Sequence, residues 1–448
     1  MRYGSLAPWF FLRVDWLSTC SRNCRPKKSR ADPKSALVLM VEQFDAIVVG
    51  AGPGGATTST LLAREGKNVL VLDQSDWPRD KICGDGISGK SMDAIKALGL
   101  EDQLRAHESL GSWGVTFSGP HGDEVSIPFG KKVAGKIAPG FVCAREVFDK
   151  VLFDAAVASG ADVRIKTRVT DLLREDGKVV GVRFKTPEKE MREARAPIVI
   201  GADGAYSVVA RELGMDQLDE KHYVAAVRAY YEGVSGFSEG NFIELHFVDE
   251  VIPGYFWIFP MDNGKANVGV GMLSSEIKKR DVKLKPLLDE MIKLPKFAER
   301  FKDAKQITPT KGWGLPVGSK PRTMAGDGWM LIGDAASLID PFTGEGIGNA
   351  MVTGMMAAEW IGKAEKANDY SAAFFAAYEE EVLDLLRNEF RLSHGLQKLG
   401  RWKWLLNKVI AKASRSKELA EAISCMFDDL SERKKLLTPA FYWRVLTA

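Results

Sequence analysis

Along residues 44–74, "FDAIVVGAGPGGATTSTLLAREGKNVLVLDQ", two short apolar runs flank a glycine turn and a stretch of helical character. Apolar runs of this kind predict two strands, here joined by a helix into a βαβ unit. Downstream, "REVFDKVLFDAAVASG" (Arg145 to Gly160) predicts a helix. "ADVRIKTRVTDLLRE" and "VVGVRFKT", joined at Asp176-Gly177, predict a β-meander, and "APIVIGADG" predicts a strand returning to the first sheet. Between Tyr223 and Leu273 the runs "NFIELHFV", "YFWIFP" and "ANVGVGM" predict an inserted antiparallel sheet, the candidate substrate domain. "GWMLIGDAASLIDPFTGEGIGNAMVTGMMAAEWIG" predicts one more strand, a glycine loop and a long helix; after Asp369 the pattern is helical to the end. No internal repeat is visible.

Composition narrows the field. With 448 residues, 45% of them hydrophobic, the chain can bury a sizeable core and divides into two or three units. A net charge of +3, without basic runs interleaved with aromatics, gives no case for nucleic acid as a partner. Five cysteines, an odd number in a long chain, fit a reducing compartment, so the expected location is cytoplasmic. Cys20 and Cys24 have no second pair at metal-ligand spacing and the five histidines are scattered, so no metal is expected. No apolar run approaches the roughly 18–20 residues that cross a bilayer, which leaves only peripheral membrane contact. Residues 1–40 read as a disordered basic extension, with a transit peptide as the alternative and Met40 as an alternative start.

The sharpest local signal is Gly50-Ala51-Gly52-Pro53-Gly54-Gly55, a G-x-G-x-x-G between strand and helix, with Asp73 some twenty residues downstream. Gly50 permits the tight turn, Gly52 lets backbone approach a pyrophosphate, and Gly55 lets the helix pack with its N-terminus aimed at the phosphates. Asp73 is positioned to accept hydrogen bonds from ribose hydroxyls.

"GADGAYSVVAREL" (Gly201 to Leu213) and "GDAASLIDPFTGEGIGNAM" (Gly333 to Met351) resemble the two further signatures of the group A flavoprotein monooxygenase and reductase superfamily, in that family's order. The resemblance implies FAD, with Asp334 on the ribityl chain and the backbone of Gly344, Glu345, Gly346 and Ile347 against the flavin ring. It also implies Asp203 and Gly204 on the pyrophosphate side, and Arg145 reaching the cofactor. "PRDKICGDGISGKS" resembles the K-x-C-G-[GD] segment of the geranylgeranyl and prenyl-chain reductases, and "PGYFWIFP" their Y-x-W-x-F-P motif; menaquinone side-chain reductases look closest. The implied fold class is α/β. An FAD-binding Rossmann-like domain (42–120, 141–215 and 323–365) carries an inserted antiparallel-sheet substrate domain (121–140 and 216–322) and a helical C-terminal region (366–448).

Alternation along a strand puts Tyr255, Trp257 and Phe259 on one face, opposite Phe256 and Ile258. Three rings in a row suit an isoprenoid chain, with an ordinary sheet core as the alternative. Cys83 is either a small apolar filler or a thiol at the flavin edge, with the Lys81 ammonium favouring thiolate or merely solvated. "LQKLGRWKWLLNKVIAKASRSK" (Leu396 to Lys417) is basic and carries Trp402 and Trp404 at near-helical spacing; it either lies on a membrane surface or packs on the protein.

Together these readings point to an FAD-dependent reductase that hydrogenates carbon–carbon double bonds of a geranylgeranyl or polyprenyl lipid or quinone side chain. Tyr255, Trp257 and Phe259 would hold the chain and Cys83, or a water it holds, would supply the proton, with Cys83, Tyr255 and Trp257 as the catalytic set. No second G-x-G-x-x-G follows, so electrons come from loosely bound NAD(P)H or from a protein donor such as reduced ferredoxin or flavodoxin. An FAD-dependent monooxygenase or flavin halogenase is the alternative, although Tyr255 and Phe259 depart from the halogenase W-x-W-x-I-P. A non-catalytic prenyl-lipid carrier is the second.

Overall fold

The computed structural model describes residues 41–107, 110–129, 138–215, 219–320 and 322–416, which form one unit from Val41 onward. Strand β1 (Ala46–Val49), helix α1 (Pro53–Arg64) and strand β2 (Val69–Leu72) make the predicted βαβ unit, β1 and β2 pairing in parallel. All eight strand residues are buried, as an apolar run without alternation requires of a sheet covered on both faces. After a segment without long elements (Arg79 to Ser88) come α2 (Gly89–Leu98), then the antiparallel pair β3 (Gly114–Ser118) and β4 (Glu124–Pro128), and α3 (Arg145–Ala158). Strand β5 (Asp162–Arg164) joins the edge of β2. The meander β6 (Arg168–Glu175), β7 (Lys178–Lys185) and β8 (Met191–Arg195) turns at Asp176 and Gly177, both with positive φ. β9 (Val199–Gly201) then returns beside β1.

The inserted sheet comprises β10 (Tyr223–Glu232), β11 (Ile243–His246), β12 (Gly254–Pro260) and β13 (Lys265–Leu273), backed by α4 (Leu284–Met291) and extended by β14 (Lys311–Pro316). β15 (Trp329–Leu331) closes the parallel sheet in the order β15-β9-β1-β2-β5. Three helices follow: α5 (Ile347–Ala367), α6 (Ala372–Leu399) and α7 (Lys403–Ala413).

One boundary moves. β3 pairs in parallel with β11 and β4 pairs with β3, so both belong to the inserted sheet, in the order β10-β13-β12-β11-β3-β4. The division drawn at residue 120 therefore cuts through a hairpin, and the sheet begins at Gly114. A parallel pairing across more than a hundred residues leaves no local signal. The basic 396–417 stretch is also not one helix: α6 ends at Leu399 and α7 starts at Lys403. On α7 Ile410 and Ala413 are buried, while Trp402 and Trp404 stand 58% and 53% exposed. The expectations for residues 1–40, and the C-terminal part beyond residue 416, lie outside the described residues.

Candidate active site

The glycines of the first loop divide by what surrounds them. A Cβ on Gly50 (φ +98°) would sit 2.5 Å from the Ala202 carbonyl oxygen, one on Gly55 1.9 Å from that of Gly50, and one on Gly54 2.9 Å from that of Ala350 on α5. These three are demanded by packing. Gly52 is not: a Cβ there meets only Arg79 Nη2, at 3.5 Å, so its backbone lies open to an incoming group. Pro53 opens α1, and Asp73, at the end of β2, accepts from the backbone N–H of Ala51 (2.8 Å) and Ser75 (2.7 Å), fixing the loop's shape. Arg79, which stacks on Trp77 and pairs with Asp149 at 3.0 Å, covers this end of the site.

Asp203 accepts from Val208 N–H through one oxygen (2.6 Å), while its other buried oxygen has no partner; Gly204 beside it turns at φ +77°. In the loop before α5, Asp340 accepts from the N–H groups of Phe342 (2.9 Å) and Thr343 (2.8 Å). Gly344 turns at φ +76°, and Glu345 accepts from Gly348 N–H (2.6 Å), capping the helix that Gly346 and Ile347 begin. Burial raises the Asp334 carboxyl above its ordinary value, opposed by the charges of Lys81 and Arg145. The N-termini of α1 and α5 thus meet one cavity, with an open glycine backbone and an unanswered carboxylate oxygen. That arrangement fits a dinucleotide whose diphosphate takes helix N–H donors and whose sugar hydroxyls take carboxylates.

Facing this cradle, the inserted sheet presents its residues in ranks. Phe259, Asn267 and Tyr230 are register partners across β12, β13 and β10; so are Trp257, Gly269 and Arg228, and Tyr255, Gly271 and Ala226. The second and third ranks continue onto β14 as Lys311 and Trp313. The ring centroids of Tyr255, Trp257 and Phe259 are spaced 6.1 and 6.4 Å apart, while Phe256 and Ile258 pack on the reverse with α4. Glycines make room for the indole: a Cβ on Gly269 would lie 2.2 Å from Trp257 Cζ2. Both polar tips are engaged. The Tyr255 hydroxyl donates to the Thr343 carbonyl (2.8 Å), tying the wall to the loop before α5, and the Trp257 N–H donates to Asn267 Oδ1 (2.9 Å).

The Arg79–Ser88 segment drapes over these ranks. Lys81 Nζ lies 3.8 Å from the Trp313 ring centroid, Asp80 pairs with Arg228, and Gly84 and Gly86 lie against the Phe259 ring. Lys81 is accordingly no solvated surface charge; burial lowers its amine to about 8. The Cys83 thiol is not pushed toward thiolate either. Burial raises it, and the opposing cation is the Arg145 guanidinium, itself bonded to Asp149 at 2.6 and 2.8 Å. Neither periodicity nor motif singles out Asp85, Arg228, Tyr230 or Asn267. The available signal was polarity in the wrong place: Arg228 and Asn267 each interrupt an otherwise apolar strand.

A cavity of about 800 Å³ joins both halves, reaching from Gly52 and Asp334 past Cys83 to Tyr255, Trp257 and Phe259, then on to Phe129, Gln397 and Gly400. Among the described residues no three His, Cys, Asp or Glu side chains gather as metal ligands would.

Residues 43–387 match the FAD binding domain family. A digeranylgeranylglycerophospholipid reductase of Methanosarcina mazei is 33% identical over 79% of this chain and 84% of its own. A menaquinone reductase of Mycobacterium tuberculosis is 34% identical over 71% and 77%. Among solved structures, a geranylgeranyl bacteriochlorophyll reductase-like protein from Thermoplasma acidophilum superposes with TM-score 0.75 at 28% identity, covering 88% of this chain and 99% of its own. A flavin-dependent brominase, at 22% identity and TM-score 0.72 over 90% and 99%, shares the fold. At this identity and coverage the chain belongs to the geranylgeranyl and prenyl-chain reductase family of FAD-dependent oxidoreductases.

Proposed function

We propose that the protein adds two hydrogens across isolated double bonds of a polyprenyl chain borne by a lipid or quinone. The observation that carries this reading is the single cavity in which the cofactor cradle faces the aromatic rank of β12, with Cys83 at the junction. FAD, when bound and reduced, supplies the hydride. Tyr255, Trp257 and Phe259 hold the apolar chain and keep water from it. Because the O–H of Tyr255 and the N–H of Trp257 are donated to protein acceptors, these two act by position, and the proton falls to Cys83. Burial keeps that thiol protonated, and the Arg145 guanidinium beside it stabilises the thiolate left after transfer. NAD(P)H or a reduced ferredoxin or flavodoxin recharges the cofactor. The protein works at the cytoplasmic face of a membrane, held there by the exposed Trp402 and Trp404.

The test mixes chemically reduced enzyme anaerobically with geranylgeranyl phospholipid or menaquinone and reads flavin reoxidation and product mass. Lipid gaining two hydrogens per reduced bond is expected. Cys83→Ser should retain flavin and its reduction by donor, yet reoxidise roughly 10²–10⁴-fold more slowly. No hydrogenated lipid, with oxygen consumed and a hydroxylated or halogenated product instead, would overturn the reading; a purified protein without flavin would turn it toward a carrier.

A further inference from the structure

Asp85 follows Cys83 by two residues and is held at φ +66°, a conformation that Asp and Asn tolerate better than other non-glycine residues. Its side chain is wholly buried. Oδ2 accepts from the Tyr230 hydroxyl (2.6 Å) and from Asn267 Nδ2 (2.8 Å); Oδ1 has no partner. Arg228, also wholly buried, lies 4.1 Å from the Tyr230 ring centroid and donates through Nη2 to Asp80, leaving Nε and Nη1 without acceptors. Both residues line the cavity. The Asp85 N–H donates to Cys83 Sγ at 3.3 Å, and the Asn267 amide also donates to the Cys83 carbonyl at 2.7 Å, so acid and thiol are fixed by the same clasp. Buried ions that serve packing alone are ordinarily paired and fully hydrogen-bonded. Here an acid and a cation each keep unanswered atoms in the cavity that Cys83 also lines.

We infer that Asp85 is the internal proton store of the site, recharging Cys83 after each transfer to the alkene. The alkene π bond breaks, and hydride from the reduced cofactor forms one C–H bond. The Cys83 proton forms the other and leaves a thiolate. The Asp85 carboxyl passes its proton to that thiolate, and the resulting carboxylate faces Arg228. Solvent restores the proton through the cavity that Asp85 lines. The sum is alkene, hydride and one proton giving a saturated carbon pair, with no further reactant. This inference rests on the alkene-reductase reading of the cavity.

Titration of Asp85 is set by groups from every side. Burial raises its carboxyl to about 6, against the lowering effect of Tyr230 and Arg228 on β10, Asn267 on β13 and Arg145 on α3. Cys83 and Cys143 are its other titratable neighbours. A group that must carry a proton makes the rate high below its pKa and lower as pH rises through it.

The decisive experiment follows steady-state hydrogenation of geranylgeranyl phospholipid by FAD-loaded enzyme under excess dithionite, over many turnovers, across about pH 5 to 8. Wild type should lose rate through about pH 6. Asp85→Asn, which suits the backbone, should keep its flavin, slow by roughly 10²–10⁴-fold and lose that limb. Tyr230→Phe, which removes a hydrogen bond to the ionised form, should move the limb to higher pH. Infrared titration of the purified protein gives a readout without turnover: a carboxylic-acid band that titrates near the same pH and is absent from Asp85→Asn. Unchanged rate and profile in Asp85→Asn would overturn the inference, as would an unmoved limb in Tyr230→Phe should Asp85→Asn fail to fold. If wild type leaves the lipid untouched, the substrate reading falls while the band still decides Asp85; no such band overturns the proton store itself.

Discussion

At the scale of single residues, the site is built by pairing a large ring with a missing side chain. Trp257 lies over Gly269, and Phe259 against Gly84 and Gly86, so the glycines of "ANVGVGM" and "CGDG" are half of each contact. Gly269→Ala would force a Cβ to within 2.2 Å of the indole and 2.4 Å of the Val227 carbonyl oxygen. Neither neighbour is a flexible chain end, so the cost should be at least the roughly 1–3 kcal/mol of an overpacked core. The expected result is a lower melting temperature and slowed reoxidation by lipid with flavin content unchanged; a wild-type melt would show that the indole shifts freely. The aromatic rank was legible because alternation is a local signal. The clasp around Cys83 was not: Asp85 meets Tyr230 and Asn267 across 145 and 182 residues, and nothing near "CGDG" records which strand will face it.

Elements are joined by a second buried cluster. Ser118 at the end of β3 bonds His246 Nδ1 (2.7 Å), His246 Nε2 bonds Glu244 (2.9 Å), and Arg300 grips the same carboxylate. The order Ser-His-Glu resembles a hydrolase triad, yet Ser118 is wholly buried and reaches no substrate. Its work is to hold the parallel pair β3 and β11 together. Burial would raise the Glu244 carboxyl, but His246 and Arg300 hold it below its ordinary value; burial lowers the His246 imidazole despite Glu244. Both folded values lie below the unfolded ones, so both contributions are complete above about pH 6.5 and fade as pH falls, that of His246 first and that of Glu244 below about 4.5. Arg300→Met strands a buried carboxylate, at a cost of about 3–5 kcal/mol near neutrality. Its melting temperature should fall at pH 7 and lag wild type less in acid, where Glu244 takes up a proton. An equal deficit at both pH values would assign Arg300 a packing role alone. The strands themselves could be read from alternation, whereas the β3–β11 pairing, spanning an intervening domain segment, could not.

For the whole molecule, α6 is the beam. Over 28 residues, about 42 Å at 1.5 Å per residue, it bonds the loop before α5 through Ser393 to Asp340 (2.6 Å) and Gln397 to the Pro341 carbonyl (2.8 Å), and holds Lys90 through Glu389 (2.6 Å). Just past its end stand Trp402 and Trp404, stacked at 6.5 Å among Arg401, Lys403 and Lys408, near the point where the cavity reaches Gln397 and Gly400. No helix among the described residues is long and apolar enough to cross a membrane. The protein should float with anionic liposomes at low salt, less at high salt, and much less when both tryptophans become glutamate; wild type that stays at the bottom of the gradient would make the pair a structural feature. That two aromatics are exposed was beyond the sequence, since helical spacing does not say which face the fold will cover. Because the helix that leads to this surface also bonds the loop before α5, a membrane bound at the tryptophans and a cofactor bound at that loop would be thermodynamically linked through it. Any shift in midpoint potential on vesicle binding must be returned, by the same factor, as a change in vesicle affinity on reduction.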